Sequence, residues 1–201
     1  AERLRSRDLL VSGLAVLGTY SKLLAEAPDD LQRDFGLFDC GACHHELRSR
    51  FPSEARVRRP LRPGRVPPAD WTLTLARVAA RQADAHGLPA PPSGGSDSEM
   101  NASLQSLYAA LSARPFGERA AVTQAANQLS STCATIAERL MQWGFGAARA
   151  ERLLADLADP RHDEDRDYHA ARQLAWAIRE VLKDLADVPY RTDVPRLPRG
   201  D

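Results

Sequence analysis

The chain has 201 residues, with 27 basic and 27 acidic side chains and a formal net charge of zero. That balance argues against nucleic acid or a strongly charged membrane surface as a partner, both of which select for one-sided charge. Three cysteines are too few for a disulfide framework, and the length suffices for one sizeable domain, or a smaller one with an appendage.

Residues 3–27 admit two readings. Arg3, Arg5 and Arg7, the apolar stretch from Leu9 to Gly18, and the small-residue run Ala25-Glu26-Ala27 have the layout of a signal peptide. Asp8 interrupts that layout, however, and Leu10, Leu14, Leu17 and Leu24 recur at helical spacing up to Pro28, which predicts an amphipathic helix. The helix is the expectation carried forward. No apolar run reads as long enough to span a bilayer. With a helix starting so close to Ala1, the chain is expected to be the C-terminal part of a longer exported protein.

Cys40-Gly41-Ala42-Cys43-His44 has the form C-x-x-C-H, the attachment sequence for c-type haem. The two thiols add across the haem vinyl groups as thioethers, and the x-x spacing sets the sulfurs about one helical turn apart. His44 is then held under the iron as its axial nitrogen ligand. At this composition roughly 0.001 chance matches to the pentapeptide are expected, so the signal is specific. The competing readings need more than the sequence offers: a thioredoxin-like pair wants a βαβ context, and a zinc site wants a fourth ligand from a nearby Cys/His cluster.

His45 follows directly. Neighbouring residues on a helix diverge by about 100°, so His45 cannot serve the iron that His44 serves. The run Cys43-His44-His45-Glu46-Leu47 resembles the C-x-x-C-H-H motifs of small tetrahaem cytochromes, in which the second histidine ligates a neighbouring haem. The wider segment, from Phe38-Asp39-Cys40 through Leu47 and on to Trp71, resembles bacterial cytochrome c family proteins. The resemblance implies haem c with its iron as cofactor, and a periplasmic or otherwise exported location. It also implies redox proteins, or further haem-bearing segments of a longer chain, as partners. His45 is then either a ligand to a second haem supplied from elsewhere or a solvent-facing histidine at the haem edge. Phe38, Leu47, Arg62 and Trp71 are the expected haem contacts.

Seven arginines lie between Arg48 and Arg65, interleaved with Pro52, Pro60 and Pro63 and followed by Pro67 and Pro68, which exclude a regular helix from most of the stretch. It is either a solvated basic loop or a wrap around the haem, with arginines forking onto the propionates. In the second case Arg62-Pro63-Gly64-Arg65 is the tip and Trp71 an aromatic lid.

The remainder reads as helices. Residues 70–86 carry Trp71, Leu75, Val78 and Ala79 on one side, with Gly87 as an αL cap. A flexible linker covers 88–98, and Ser96 with Glu99 forms a capping box for the helix bearing Met100, Leu104, Leu107 and Leu111. Val122, Ala126, Leu129, Cys133, Ile136, Leu140 and Trp143 mark a bundle seam, with Cys133 as a small core thiol. Gly144 and Gly146 precede a short helix with Leu153, Leu154 and Leu157, ending at Pro160. The last helix, 165–187, presents Tyr168, Ala171, Ala175, Ile178, Leu182 and Leu185 inward. No convincing strand pattern occurs. The expected fold is all-α: residues 1–68 hold the first helix, the attachment segment and the Arg/Pro-rich loop, 69–188 a bundle of four to five helices, and 189–201 an irregular tail.

For the sixth iron position the residues to consider are His86, His162, His169, Met100 and Met141. His86 is best placed in sequence, although a histidine in a last helical turn also suits the helix dipole. His169 shares a stripe with Arg172 and Trp176 away from the core, which makes it a surface residue. The expected function is outer-sphere electron transfer, with no catalytic residues assigned. The alternatives are a haem-stapled structural or interaction module of a redox complex, and a haem enzyme or sensor with an open sixth position.

Overall fold

Residues 9–21 carry no charged side chain, while Arg5, Arg7 and Asp8 stand at one end and Lys22 and Glu26 at the other. Such a segment forms a helix that can bury much of its surface, and in the computed structural model its leucine face is buried while Val16 and Leu23 stay exposed. The model describes residues 5–27, 38, 65, 68–85, 95–114, 116–142, 144–159 and 168–186. Six α-helices occur among them: α1 (Arg5–Glu26), α2 (Thr74–Asp84), α3 (Ser96–Ser112), α4 (Arg119–Met141), α5 (Ala147–Leu157) and α6 (Tyr168–Ala186). A 3-10 turn, Asp70–Leu73, leads into α2. The only extended pairing among the described residues is an isolated antiparallel bridge between Phe38 and Pro68. The described residues form the all-α bundle expected from the sequence.

α1 buries Leu9, Leu10, Leu14, Leu17 and Leu24, and packs most extensively on α4, then on α2, α6 and the 3-10 turn. Its two ends are capped by side chains from other helices. Asp184 of α6 accepts hydrogen bonds from the backbone N–H groups of Arg5 (3.2 Å) and Ser6 (2.6 Å) and from the Ser6 hydroxyl (2.6 Å). At the other end Arg119 of α4 donates to the Ala25 carbonyl at 2.9 Å, joined by the Thr123 hydroxyl at 3.3 Å. An anion at the amino end and a cation at the carboxyl end complement the helix dipole. By length and composition alone α1 is a helix that could cross a membrane, with a mean hydropathy of 1.3 over its best stretch, a test that buried core helices also meet, and 56% of that stretch is buried in the bundle.

α2 touches all five other α-helices. It can do so because its buried positions are mostly small: Ala76, Ala79, Ala80 and Ala83 beside Leu75 and Val78. Backbones approach closely here. A Cβ on Gly13 of α1 would fall 2.6 Å from the Cβ of Leu75 and 3.0 Å from its carbonyl carbon. The positions the spacing predicts are buried on both helices, Met100, Leu104, Leu107 and Leu111 on α3 and Val122, Ala126, Leu129, Cys133, Ile136 and Leu140 on α4, which packs on α3 and on α1, with Cys133 beside Gly18 of α1. Ser103 and Thr132 hydroxyls meet between α3 and α4 at 2.9 Å. Burial pushes the Cys133 thiol up to about 12, so it stays protonated and inert.

Three local expectations are overturned. Ser96 is not a capping residue: it lies inside α3, Gly95 is the N-cap, and Asp84 at the end of α2 receives the N–H groups of Ser96 and Asp97 (2.9 Å for the latter). Ser96 and Glu99 instead both accept from Arg139 of α4, at 3.1 Å each. Trp71 does not share the buried face of α2, because the 3-10 turn changes the angular step before the helix begins, and it is 38% exposed. On α6 the buried stripe is Ala170, Leu174, Ala177, Val181 and Asp184, one residue round from the predicted set. Tyr168 (70%) and Leu182 (49%) are exposed, while Ile178 and Leu185 pack at the core's margin. Both stripes have helical spacing; the observed one brings small residues against the neighbouring helices and aims Asp184 at the amino end of α1.

Candidate functional site

Cys40, Cys43, His44, His45, Leu47, Arg62 and His86 lie outside the described residues, as do His162, Trp143, Gly87, most of the 88–98 linker, the Arg/Pro-rich stretch apart from Arg65, and the tail. The structure does describe what flanks the attachment sequence. Phe38, two residues before Cys40, is buried and packs edge-to-face on Phe116, with ring centroids 5.4 Å apart at 67°. On the far side of the segment Arg65 donates from Nε to the Ser112 carbonyl at 3.0 Å, Pro68 bridges back to Phe38, and the Ala69 N–H donates to the Tyr20 hydroxyl at 3.3 Å. Arg65 is thus a tether to the carboxyl end of α3, where the sequence suggested the tip of a loop. Both flanks are held at one corner of the bundle, built from the α3–α4 connection and Tyr20 of α1.

That corner has an unusual backbone. Phe116 has φ of 64° and Gly117 φ of 80°. Glycine adopts this region freely, whereas a phenylalanine there is strained by about 1–3 kcal/mol. A Cβ on Gly117 would also strike Val122 and the Ala110 carbonyl, so the second position requires glycine. The turn aims the Phe116 ring at Phe38. Glu118 then starts α4, accepting from the Ala121 N–H at 2.9 Å, and that backbone hydrogen bond holds its carboxyl below the usual range.

Three residues beyond Pro68, Trp71 lines a groove of about 780 Å³ with His169, Arg172, Gln173, Ala175, Trp176 and Arg179 of α6. These α6 residues fall on one outward face at steps of three and four, and the 3-10 turn packs against the same helix. Trp176 is 43% exposed, so two indoles meet solvent in one cavity. The guanidinium of Arg172 sits 5.5 Å above the Tyr168 ring, and the Nε edge of Arg179 pairs with Glu180 at 3.5 Å. Glu180 also accepts from Lys183 at 2.7 Å, which keeps its carboxyl below the ordinary range. No carboxylate lines the groove itself. Flat aromatic walls with cations around them suit a planar aromatic ligand bearing carboxylates.

The structure also sorts the residues considered for the sixth iron position. Met100 is fully buried in the α3–α4 seam, so its thioether is core packing. Met141 and His169 are exposed, His169 in the groove and edge-on to Tyr168 at 5.6 Å. Cys133 is a free thiol inside the bundle. No three His, Cys, Asp or Glu side chains come together as a metal site among the described residues. The groove was half legible in advance: the stripe of His169, Arg172 and Trp176 is periodic, but nothing in sequence pairs it with Trp71, 105 positions before Trp176. Compared with protein-family models, curated proteins and solved structures, the chain matches none.

Proposed function

We propose that this chain is a c-type cytochrome, or the haem-bearing portion of a larger multihaem one, working in electron transfer outside the cytoplasm. The observation that carries the reading is the pentapeptide Cys40-Gly41-Ala42-Cys43-His44. Its two thiols supply the thioether bonds and its imidazole the axial nitrogen, in the order that covalent haem attachment requires. The bound haem supplies a one-electron ferric/ferrous couple, and everything else asked of the protein is positional and electrostatic.

The flanks support that division of labour. Phe38 on Phe116, and Arg65, Pro68 and Ala69 on α3 and α1, hold the ends of the attachment segment against a rigid bundle. A fixed frame keeps the cost of rearrangement low when charge moves, as electron transfer favours. The remaining third cysteine cannot compete for attachment, being buried and protonated in the α1–α4 contact. Redox proteins, or haems on other segments or subunits, are the partners this reading calls for.

The test is expression with cytochrome c maturation machinery in an oxidising compartment. The expected product keeps its colour after acid-acetone extraction and has the mass of the polypeptide plus one haem. Extractable haem, or the bare polypeptide mass in fully matured material, overturns the reading.

A further inference from the structure

We infer that the groove between Trp71 and α6 is a docking surface for a partner protein, and that it takes a segment presenting an aromatic or aliphatic side chain flanked by Asp or Glu. The assignment stands apart from the haem reading and asks nothing of the attachment sequence. Its first support is where the aromatic rings lie. Among the described residues the exposed ones are Trp71 (38%), Trp176 (43%) and Tyr168 (70%). Trp71 and Trp176 line the same groove, and Tyr168 lies under the guanidinium of Arg172, which lines it too. The other described phenylalanine and tyrosine rings before α6, from Tyr20 to Phe145, are buried or packed against the core. A cluster of exposed aromatic rings marks an interaction surface, and Trp, Tyr and Arg are the residues that most often anchor protein interfaces.

Charge then selects the partner. His169, Arg172 and Arg179 line the groove and no carboxylate does. Arg172 forms no ion pair among the described residues, and the Glu180 carboxylate beside Arg179 (3.5 Å) is held more closely by Lys183, at 2.7 Å. In a chain of zero net charge this excess is local, so complementarity asks for carboxylates on whatever docks there. The guanidiniums can fork onto those carboxylates while the indoles cover an apolar side chain between them. From His169 to Arg179 the surface runs along about 15 Å of helix, which suits a length of polypeptide laid against it. Two guanidiniums are too few to track a phosphate backbone, so the occupant is a protein segment and not a nucleic acid.

The experiment selects a random-peptide phage library against the full chain and measures the selected peptides, labelled, by fluorescence anisotropy. The expected sequences carry Asp and Glu around an aromatic or aliphatic residue, and they bind more weakly as salt rises. R172Q/R179Q and Trp176→Ala are each expected to weaken binding by about tenfold or more. K22Q/R152Q, which removes two cations that do not line the groove, should leave it unchanged. All five side chains stand at exposed positions, and unchanged far-ultraviolet circular dichroism checks the fold. A library that yields no binder, sequences that are basic or uncharged, or wild-type affinity in either groove variant overturns the proposal. So does tight binding of a labelled single-stranded oligonucleotide that R172Q/R179Q abolishes, which would make the occupant a nucleic acid. Self-association seen by sedimentation and lost in Trp176→Ala would give the face to a second copy of this chain and overturn it as well.

Discussion

The carboxylate of Asp184 closes the first turn of α1 through Ser6, accepting from both its N–H and its hydroxyl at 2.6 Å across 178 positions of sequence. A buried anion on α6 thus does the work that a local N-cap residue does in most helices. Asp184→Ala strands two backbone donors and one hydroxyl in a buried place, and is expected to cost about 1–3 kcal/mol. Ser6→Ala removes the hydroxyl alone and should cost less. Chemical denaturation of both single variants and the double variant gives the coupling, expected above about 0.5 kcal/mol. Additive losses would show that the two residues act separately.

Two glycines of α1 should respond oppositely to the same change. Gly13→Ala drives a methyl into the backbone of α2 at Leu75 and is expected to destabilise by about 1–3 kcal/mol. Gly18→Ala places its Cβ at an ordinary 3.5 Å from the Cys133 Cβ, so the gain in helix propensity, up to about 1 kcal/mol, should survive. Thermal unfolding of the pair decides it; equal effects would mean that the α1–α2 contact is looser than the structure has it.

Cys133 makes a prediction in pH. Its folded value of about 12 lies above the ordinary 9.0, so the thiol contributes stability that is complete below about pH 9. As pH rises from there toward 12 the unfolded chain releases a proton that the folded chain keeps, and stability falls by about 1.4 kcal/mol per unit over that window. Cys133→Ala should flatten that part of the curve, measured by denaturant midpoints against pH. It should also leave haem attachment intact, whereas Cys40→Ala should impair it severely.

His44→Ala removes the expected proximal nitrogen while leaving both thiols. Low yield and a high-spin or misligated spectrum are expected. A wild-type low-spin spectrum would falsify the assignment of His44 to the iron.

His45→Ala tests for a second haem. In this chain alone the spectrum should not change. In the intact protein or complex, a second haem should pass from bis-histidine to a high-spin form. A count of one haem per chain in the natural protein, with no haem partner, removes the basis for that role.

What the sequence determined by itself was local. Helices α1, α3 and α4 follow from apolar spacing, because a helix reads only its own residues at steps of three and four. The proposed attachment chemistry is likewise a local reading, resting on five consecutive residues. The tertiary structure decided the rest, through contacts between residues far apart in the chain. Leu182 and Val181 both fit a helical stripe on α6, and only packing against its neighbours buried the second and exposed the first. Nothing in the local sequence marks Asp84 or Asp184 as a cap, yet each caps another helix, because helix ends are satisfied by whichever oxygen the fold brings near. Trp71 and Trp176 share one groove for the same reason: a 3-10 turn rotated the first away from its expected face and the bundle set α6 beside it.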